Sequence, residues 1–310
     1  DENAYCMEGI VIKSTGSWYE VLDTSNRQWN CRLRGRLKVS GIRSTNPVAV
    51  GDRVVFEAED NSLQGIISEI LPRRNYVIRK ATNLSKQTHI IAANLDQAVL
   101  IATLAHPRTS AGFIDRLLVT CEAYSIPALI VWNKHDLVHE RTELDSIIKT
   151  YRDIGYDCLE TSVQTEFGLD QLAGILKDKT SLLAGHSGVG KSSLINAIQP
   201  GLELRVQSLS KAHAKGKHTT TFAEMFALDQ GGFIIDTPGI KEFGLAGFEA
   251  AEISHFFPEM RALFNQCRFD NCTHINEPGC MVLQRLEEGA ISRSRYASYV
   301  NMFSGQDTRA

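Results

Sequence analysis

The 310 residues carry 33 Lys and Arg against 36 Asp and Glu, a formal net charge of −3, with a pI near 6.3. That balance excludes a globally basic nucleic-acid binder and leaves only local basic patches for such a role. No apolar run approaches the roughly 20 residues that span a bilayer, and this length predicts two or three domains. Seven cysteines are scattered without a secretory signal segment. The composition therefore reads as a soluble, cytoplasmic protein with reduced thiols and no membrane partner; a monomer is expected.

Residues 1–72 read as a small barrel. Short apolar runs fall at 9–12, 18–22, 29–33, 52–56 and 64–70, separated by turns of Gly, Asn, Asp and Ser. Five strands in this length suggest an OB-type β-barrel. Arg32, Arg34, Arg36 and Lys38 alternate, so on a strand they share one face, with Arg43, Trp18, Tyr19 and Trp29 nearby in sequence. Such a face suits either plain solvation or RNA. Pro72-Arg73-Arg74-Asn75 begins a polar connector.

Residues 73–248 read as an α/β domain in which apolar strands alternate with helical patterns. The run 128–132 leads into Asn133-Lys134-His135-Asp136. Asp136 is suited to accept from guanine N1–H and the N2 amine. Adenine offers neither group, so a site built on Asp136 discriminates against it. Lys134 is expected along the base plane. The short segment Thr161-Ser162-Val163 can supply a backbone N–H to guanine O6.

The apolar run 180–184 then leads into Gly185-His186-Ser187-Gly188-Val189-Gly190-Lys191-Ser192. This is a complete G-x-x-x-x-G-K-[ST] phosphate loop. Its glycines let backbone N–H groups of Gly185, Ser187, Gly188, Val189 and Gly190 converge on phosphate oxygens. Lys191 is placed for the β- and γ-phosphates and Ser192 for Mg²⁺. The helical run from Ser193 turns its N-terminus toward the same anions. Downstream, Phe233-Ile234-Ile235 ends in Asp236-Thr237-Pro238-Gly239, a D-x-x-G signature. There Asp236 can hold Mg²⁺ through water, and Gly239 can offer its N–H to the γ-phosphate. Between the two lies Lys215-Gly216-Lys217-His218-Thr219-Thr220-Thr221. A threonine of this triplet, Thr220 in our assignment, is the switch ligand for Mg²⁺; β-branched residues also suit an edge strand. The guanine tetrapeptide precedes the phosphate loop, whereas ordinary GTPases place it after. The motifs predict GTP as substrate, GDP as product, and a G domain of circularly permuted order.

Residues 249–310 are helix-rich and interrupted by Cys267, Cys272, His274 and Cys280, spaced C-x₄-C-x-H-x₅-C. Three thiolates and an imidazole make a closed, tetrahedral, structural zinc site. Cys6, Cys31, Cys121 and Cys158 lack such company. The expected fold class is thus multidomain: an N-terminal OB-type β-barrel, a central circularly permuted P-loop GTPase domain, and a C-terminal helical zinc-binding domain.

Taken together, residues 133–136, 185–192, 216–221 and 236–239 with the Cys₃His cluster resemble the bacterial RsgA/YjeQ (YloQ) GTPases over nearly the whole chain. The resemblance implies a late-acting assembly factor of the small (30S) ribosomal subunit. Such a factor binds 16S rRNA and hydrolyses GTP weakly until that subunit stimulates it. Where the family motif has Arg before His218, this chain has Lys217. Many G proteins carry a water-orienting Gln after D-x-x-G; here Ile240 stands there, which predicts slow intrinsic turnover. His218 is the internal substitute, a position to which the resemblance also points, or else a histidine that merely packs in the switch loop. A nucleotide-gated binding module is the competing class. An unrelated P-loop ATPase or kinase conflicts with the guanine tetrapeptide.

Overall fold

A computed structural model describes residues 6–35, 47–59, 62–80, 88–202, 223–237 and 248–305. His218, Thr220, Gly239, Ile240, Arg36, Lys38 and Arg43 lie outside the described residues. The chain divides into two compact units. The first gathers Asp1–Gln97, Asp170–Ala184 and Lys191–Glu242; the second gathers Ala98–Leu169, Gly185–Gly190 and Phe243–Ala310.

In the first unit, β1 (Cys6–Ser14), β2 (Tyr19–Asp23), β3 (Gln28–Leu33), β4 (Arg53–Ala58) and β5 (Gln64–Ile70) close in the order β1-β2-β3-β5-β4, with β4 pairing back to β1. This is the expected five-stranded barrel. Alternation explains its core: Trp29 and Cys31 of β3 point inward with Val11, Val21, Val54, Phe56 and Ile67, while Arg32 points out. Bulges at Ile12 of β1 and at Ser68 of β5 bend the strands toward closure. A Cβ at Gly65 would come within 2.9 Å of the Phe56 ring, so the close packing there requires glycine.

The connector is more structured than its polar start suggests. Arg73 is nearly buried, its guanidinium bonded to the carboxylate of Asp52 at 2.6 Å and 2.7 Å. It is followed by a hairpin, β6 (Tyr76–Lys80) and β7 (Thr88–Ala93), in a sheet of its own. The same unit holds β11 (Thr180–Ala184), β12 (Glu224–Ala227) and β13 (Phe233–Asp236). β11 and β13 run parallel, β12 pairs antiparallel with β13, and β12 meets β1 through the pair Lys13↔Glu224.

In the second unit, Ala98–Ala102 of β8 (Gln97–Ala102), β9 (Ala128–Trp132) and β10 (Asp157–Glu160) form a parallel array in the order β10-β9-β8. β8 is buried throughout, as a strand covered on both faces must be. Helix α1 (Ala111–Ala123) starts at Ser110, whose hydroxyl accepts from Phe113 N. Helix α2 (Arg141–Asp153) lies between β9 and β10 in the chain. Helix α3 (Leu169–Leu176) and α4 (Lys191–Ile198) fall largely or wholly in the first unit. The C-terminal residues form a 3₁₀ helix Ala250–Phe256, then α5 (Pro258–Arg261), α6 (Met281–Glu287) and α7 (Arg293–Phe303). Their apolar core, with Phe257, Met260, Val282, Ile291, Tyr299 and Met302, includes Val119 of α1. Among the described residues no helix is long and apolar enough to cross a membrane.

Candidate functional site: a guanine and phosphate loop and a cysteine–histidine cluster

The second unit brings the guanine tetrapeptide onto the phosphate loop. Asn133 is buried; its Nδ2 donates to Val189 O at 2.9 Å, and Thr161 Oγ1 donates to its Oδ1 at 3.1 Å. Lys134 stands in the left-handed region at φ 60°. Its ammonium donates to Gly188 O at 2.8 Å and to His106 O. Asn133 and Lys134 therefore brace the phosphate loop. Asp136 is exposed, and one carboxylate oxygen accepts from the Ser162 hydroxyl. That contact joins Asp136 to Ser162. The Ser162 N–H itself is bonded to Phe167 O at 2.9 Å.

The glycines of the loop are needed for different reasons. Gly188 and Gly190 have φ of +86° and +95°, where side chains are strained. A Cβ at Gly190 would also approach Asn133 Nδ2 to 2.5 Å, and one at Gly185 would approach Ile101 O to 2.5 Å. Val189 is buried, whereas Ser187 is exposed. His186 stacks on Phe113 of α1, ring centroids 3.7 Å apart. That contact gave no sequence signal, because the second loop position is free in the motif.

The first unit holds the residues that follow. Lys191 opens α4, with Ser192 half-buried and Ser193 exposed behind it. Burial lowers the Lys191 pKa, and the carboxylate of Asp236 works against that shift. Asp236 ends β13, opposite Leu183 of β11 and Glu224 of β12. Burial raises the Asp236 pKa, Lys191 lowers it, and Glu224 raises it again. Ser192 and Asp236 are hard oxygen donors, the chemistry Mg²⁺ takes. The buried Thr237 hydroxyl has no hydrogen-bond partner among the described residues.

Cys267, Cys272, His274 and Cys280 converge, their ligating atoms all within 4.8 Å of one another. His274 Nδ1 lies 3.4 Å from Cys280 Sγ and 3.7 Å from Cys267 Sγ, and the two sulfurs are 4.0 Å apart. Ligand bonds of about 2.0–2.3 Å arranged tetrahedrally give edges of roughly 3.3–3.8 Å, so the cluster fits zinc. The loop also carries hydrogen bonds of its own. Glu277 accepts from the Thr273 amide and hydroxyl and from the Ile275 and Asn276 amides. Burial would raise the Glu277 pKa, but these donors hold it at about 2. The Tyr296 and Tyr299 hydroxyls donate to the His274 and Thr273 carbonyls.

On the barrel, Arg32 and Arg34 are exposed as expected, but neither is a free cation. Arg32 pairs with Glu59, and Arg34 pairs through two nitrogens with Glu57.

The RsgA GTPase family matches residues 70–246, and the RsgA N-terminal domain matches residues 8–67. The chain belongs to the RsgA GTPase family. Its members are GTP-hydrolysing enzymes, and this chain is one. A protein of Bacteroides fragilis strain YCH46 called "Small ribosomal subunit biogenesis GTPase RsgA" is 50% identical over 303 residues, 97% of each chain. A protein of the same description from Porphyromonas gingivalis strain ATCC 33277 is 49% identical over 307 residues, 97% of this chain and 98% of that one. The crystal structure of YjeQ from Thermotoga maritima superposes with a TM-score of 0.78 at 34% identity, covering 99% of this chain and 100% of that one. The structure of YloQ, described as a circularly permuted GTPase, gives 0.73 at 32% identity, covering 100% and 98%. Within this RsgA-family chain, the barrel, the GTPase domain and the Cys₃His cluster follow the order read from the sequence.

Proposed function

We propose that this RsgA-family enzyme is a late maturation factor of the small ribosomal subunit, binding 16S rRNA and hydrolysing GTP when that subunit stimulates it. The whole-length likeness to relatives bearing the small-subunit biogenesis name carries the reading. Cytoplasmic location and a monomeric state belong to the same proposal. So does a division into a barrel at 1–72, a GTPase domain at 73–248 and a zinc-binding helical domain at 249–310, with one structural zinc on Cys267, Cys272, His274 and Cys280.

In this reading Asp136 accepts from guanine N1–H and N2, Lys134 lies along the base, and the Val163 N–H meets O6. Backbone N–H groups of Gly185, Ser187, Gly188, Val189, Gly190 and Ser193 and the Lys191 ammonium take the phosphate oxygens. Ser192, Thr220 and Asp236 would hold Mg²⁺, which when bound neutralises charge on the β- and γ-phosphates. Water attacks the γ-phosphorus, the bond to the bridging oxygen breaks, and GDP and phosphate leave. His218 orients that water, a task Ile240 lacks the polar group to perform; Gly239 offers its N–H to the γ-phosphate.

Single-turnover hydrolysis with and without purified small subunits tests the reading. Stimulation by the subunit is expected. Absence of stimulation with GTP-dependent binding retained would turn the protein into a nucleotide-gated binding module.

A further inference from the structure

Four charged residues of the first unit stand in one row across four neighbouring strands. Asp236 at the end of β13 is opposite Glu224 at the start of β12, Glu224 is opposite Lys13 of β1, and Lys13 is opposite Glu20 of β2. Directly opposed residues on antiparallel strands place their side chains on the same face. Lys13 Nζ lies 3.1 Å from Glu224 Oε1 and 3.8 Å from Glu20 Oε1. Glu20 in turn accepts from Gln28 Nε2 of β3 at 2.7 Å. The row thus runs from the barrel to the carboxylate of the D-x-x-G motif.

The order of charges matters. Asp236 and Glu224 are like charges in direct opposition, which is unfavourable by itself. Lys13 offsets the charge of Glu224 from the barrel side, as Lys191 offsets that of Asp236 from the phosphate loop. These groups are only partly exposed: Lys13 and Glu224 side chains keep 25% and 27% of their surface. Their interactions are therefore less screened than those of a surface pair. Without Lys13, an uncompensated negative charge would stand beside the group assigned to the nucleotide's phosphates and Mg²⁺.

We infer that Lys13, a residue of the barrel, is a positioning residue for the phosphate site, acting through Glu224 on Asp236. The inference rests on the proposed role of Asp236. It gives the barrel an electrostatic connection to the nucleotide at the register pair Lys13↔Glu224, where β1 meets β12. A ligand that engages the barrel and redirects Lys13 would change nucleotide affinity without touching the nucleotide.

The test is equilibrium binding of a fluorescent GDP to the full chain, with excess chelator and across a Mg²⁺ titration. Lys13→Met should weaken binding in chelator by about threefold to tenfold, the size of a unit charge acting across several ångströms of partly screened protein. The loss should shrink as Mg²⁺ is added, because the extra negative charge favours the cation. Lys13→Arg should restore affinity. In a Glu224→Gln background Lys13→Met should be silent. Wild-type affinity for Lys13→Met would overturn the inference. So would an equal loss in Lys13→Arg, or an equal loss in the Glu224→Gln background, since either would make the effect one of packing. Asp236→Asn measured alone checks the underlying assignment separately: it should flatten the Mg²⁺ dependence, and an unchanged dependence would remove Asp236 from the site.

Discussion

Replacing Arg295 should destabilise the second unit more than any surface change in the chain. Arg295 is 1% exposed, on α7. Its guanidinium bonds Asp115 of α1 at 2.8 Å and Glu259 of α5 at 2.7 Å and 3.1 Å, and it lies 4.5 Å over the Phe257 ring. Asp115 is fully buried and also accepts from the Tyr151 hydroxyl of α2 at 3.0 Å. Arg295→Met keeps most of the volume but leaves two buried carboxylates without their cation. Breaking a buried pair in this way costs about 3–5 kcal/mol, much of it the stranded charge rather than the lost attraction. For a unit of this size each kcal/mol shifts Tm by roughly 2–4 °C, so a drop of about 6–20 °C is expected in a thermal melt. Adding Asp115→Leu and Glu259→Met to Arg295→Met should recover much of the loss, because removing all three charges removes the desolvation cost too. A single Arg295→Met variant melting within about a degree of wild type would refute the reasoning; it would mean that water reaches the carboxylates.

The remaining predictions concern ligands. Asp136→Asn should move preference from GTP toward xanthosine triphosphate, whose O2 accepts from the new amide; competition binding that still favours GTP at wild-type affinity would remove Asp136 from base reading. Metal analysis should find about one zinc per chain, lost in Cys272→Ser, with the C-terminal helices loosened in hydrogen exchange and GTP binding kept; protein purified without chelator and free of metal would contradict it. Arg34→Glu, which sets a second carboxylate against Glu57, should weaken small-subunit binding and reduce its salt slope by about one phosphate contact, read from binding isotherms over a salt series. His218→Ala should spare GTP binding yet lower subunit-stimulated turnover by about 10²–10⁴-fold if the ring acts on water; wild-type turnover on the subunit would assign that task to the ribosome.

What was legible in the sequence was whatever the backbone dictates locally. The phosphate loop requires glycines at fixed offsets because its turn needs positive φ and close approach. The guanine tetrapeptide and the D-x-x-G aspartate each sit at the end of an apolar strand, and the Cys₃His spacing is short enough for one loop. The barrel strands were readable because their apolar residues alternate. The β6–β7 hairpin was not, because Arg73, Arg74 and Asn75 made its entrance look like linker. Only the fold reveals that Arg73 is spent on buried Asp52. The same limit applies to charge. Arg32 and Arg34 were correctly placed on one face, but Glu59 and Glu57 depend on a strand register that no spacing encodes. Arg295 and Asp115 stand 180 positions apart, and Lys13 and Glu224 stand 211 apart. Nothing in either segment alone marks them as partners.

These two long-range ionic contacts lie in different units, Lys13–Glu224 in the first and Arg295–Asp115 in the second. The barrel joins the phosphate-side strands: β1 meets β12, and β12 meets β13 where Asp236 ends it. The cysteine–histidine domain joins the base-side unit instead. Arg295 and Tyr299 of α7 belong to the same unit as α1, and α1 presents Phe113 to His186 of the phosphate loop. The permuted motif order makes this possible. With the guanine tetrapeptide before the phosphate loop, the chain leaves the G domain just after D-x-x-G rather than after the guanine loops. The D-x-x-G aspartate, Asp236, is thereby late in the G domain, and in the sheet β12 alone stands between its strand and the barrel. In an unpermuted G domain that motif is enclosed by further elements of the same domain. Here Asp236 stands opposite Glu224, whose carboxylate accepts from Lys13 of the barrel at 3.1 Å.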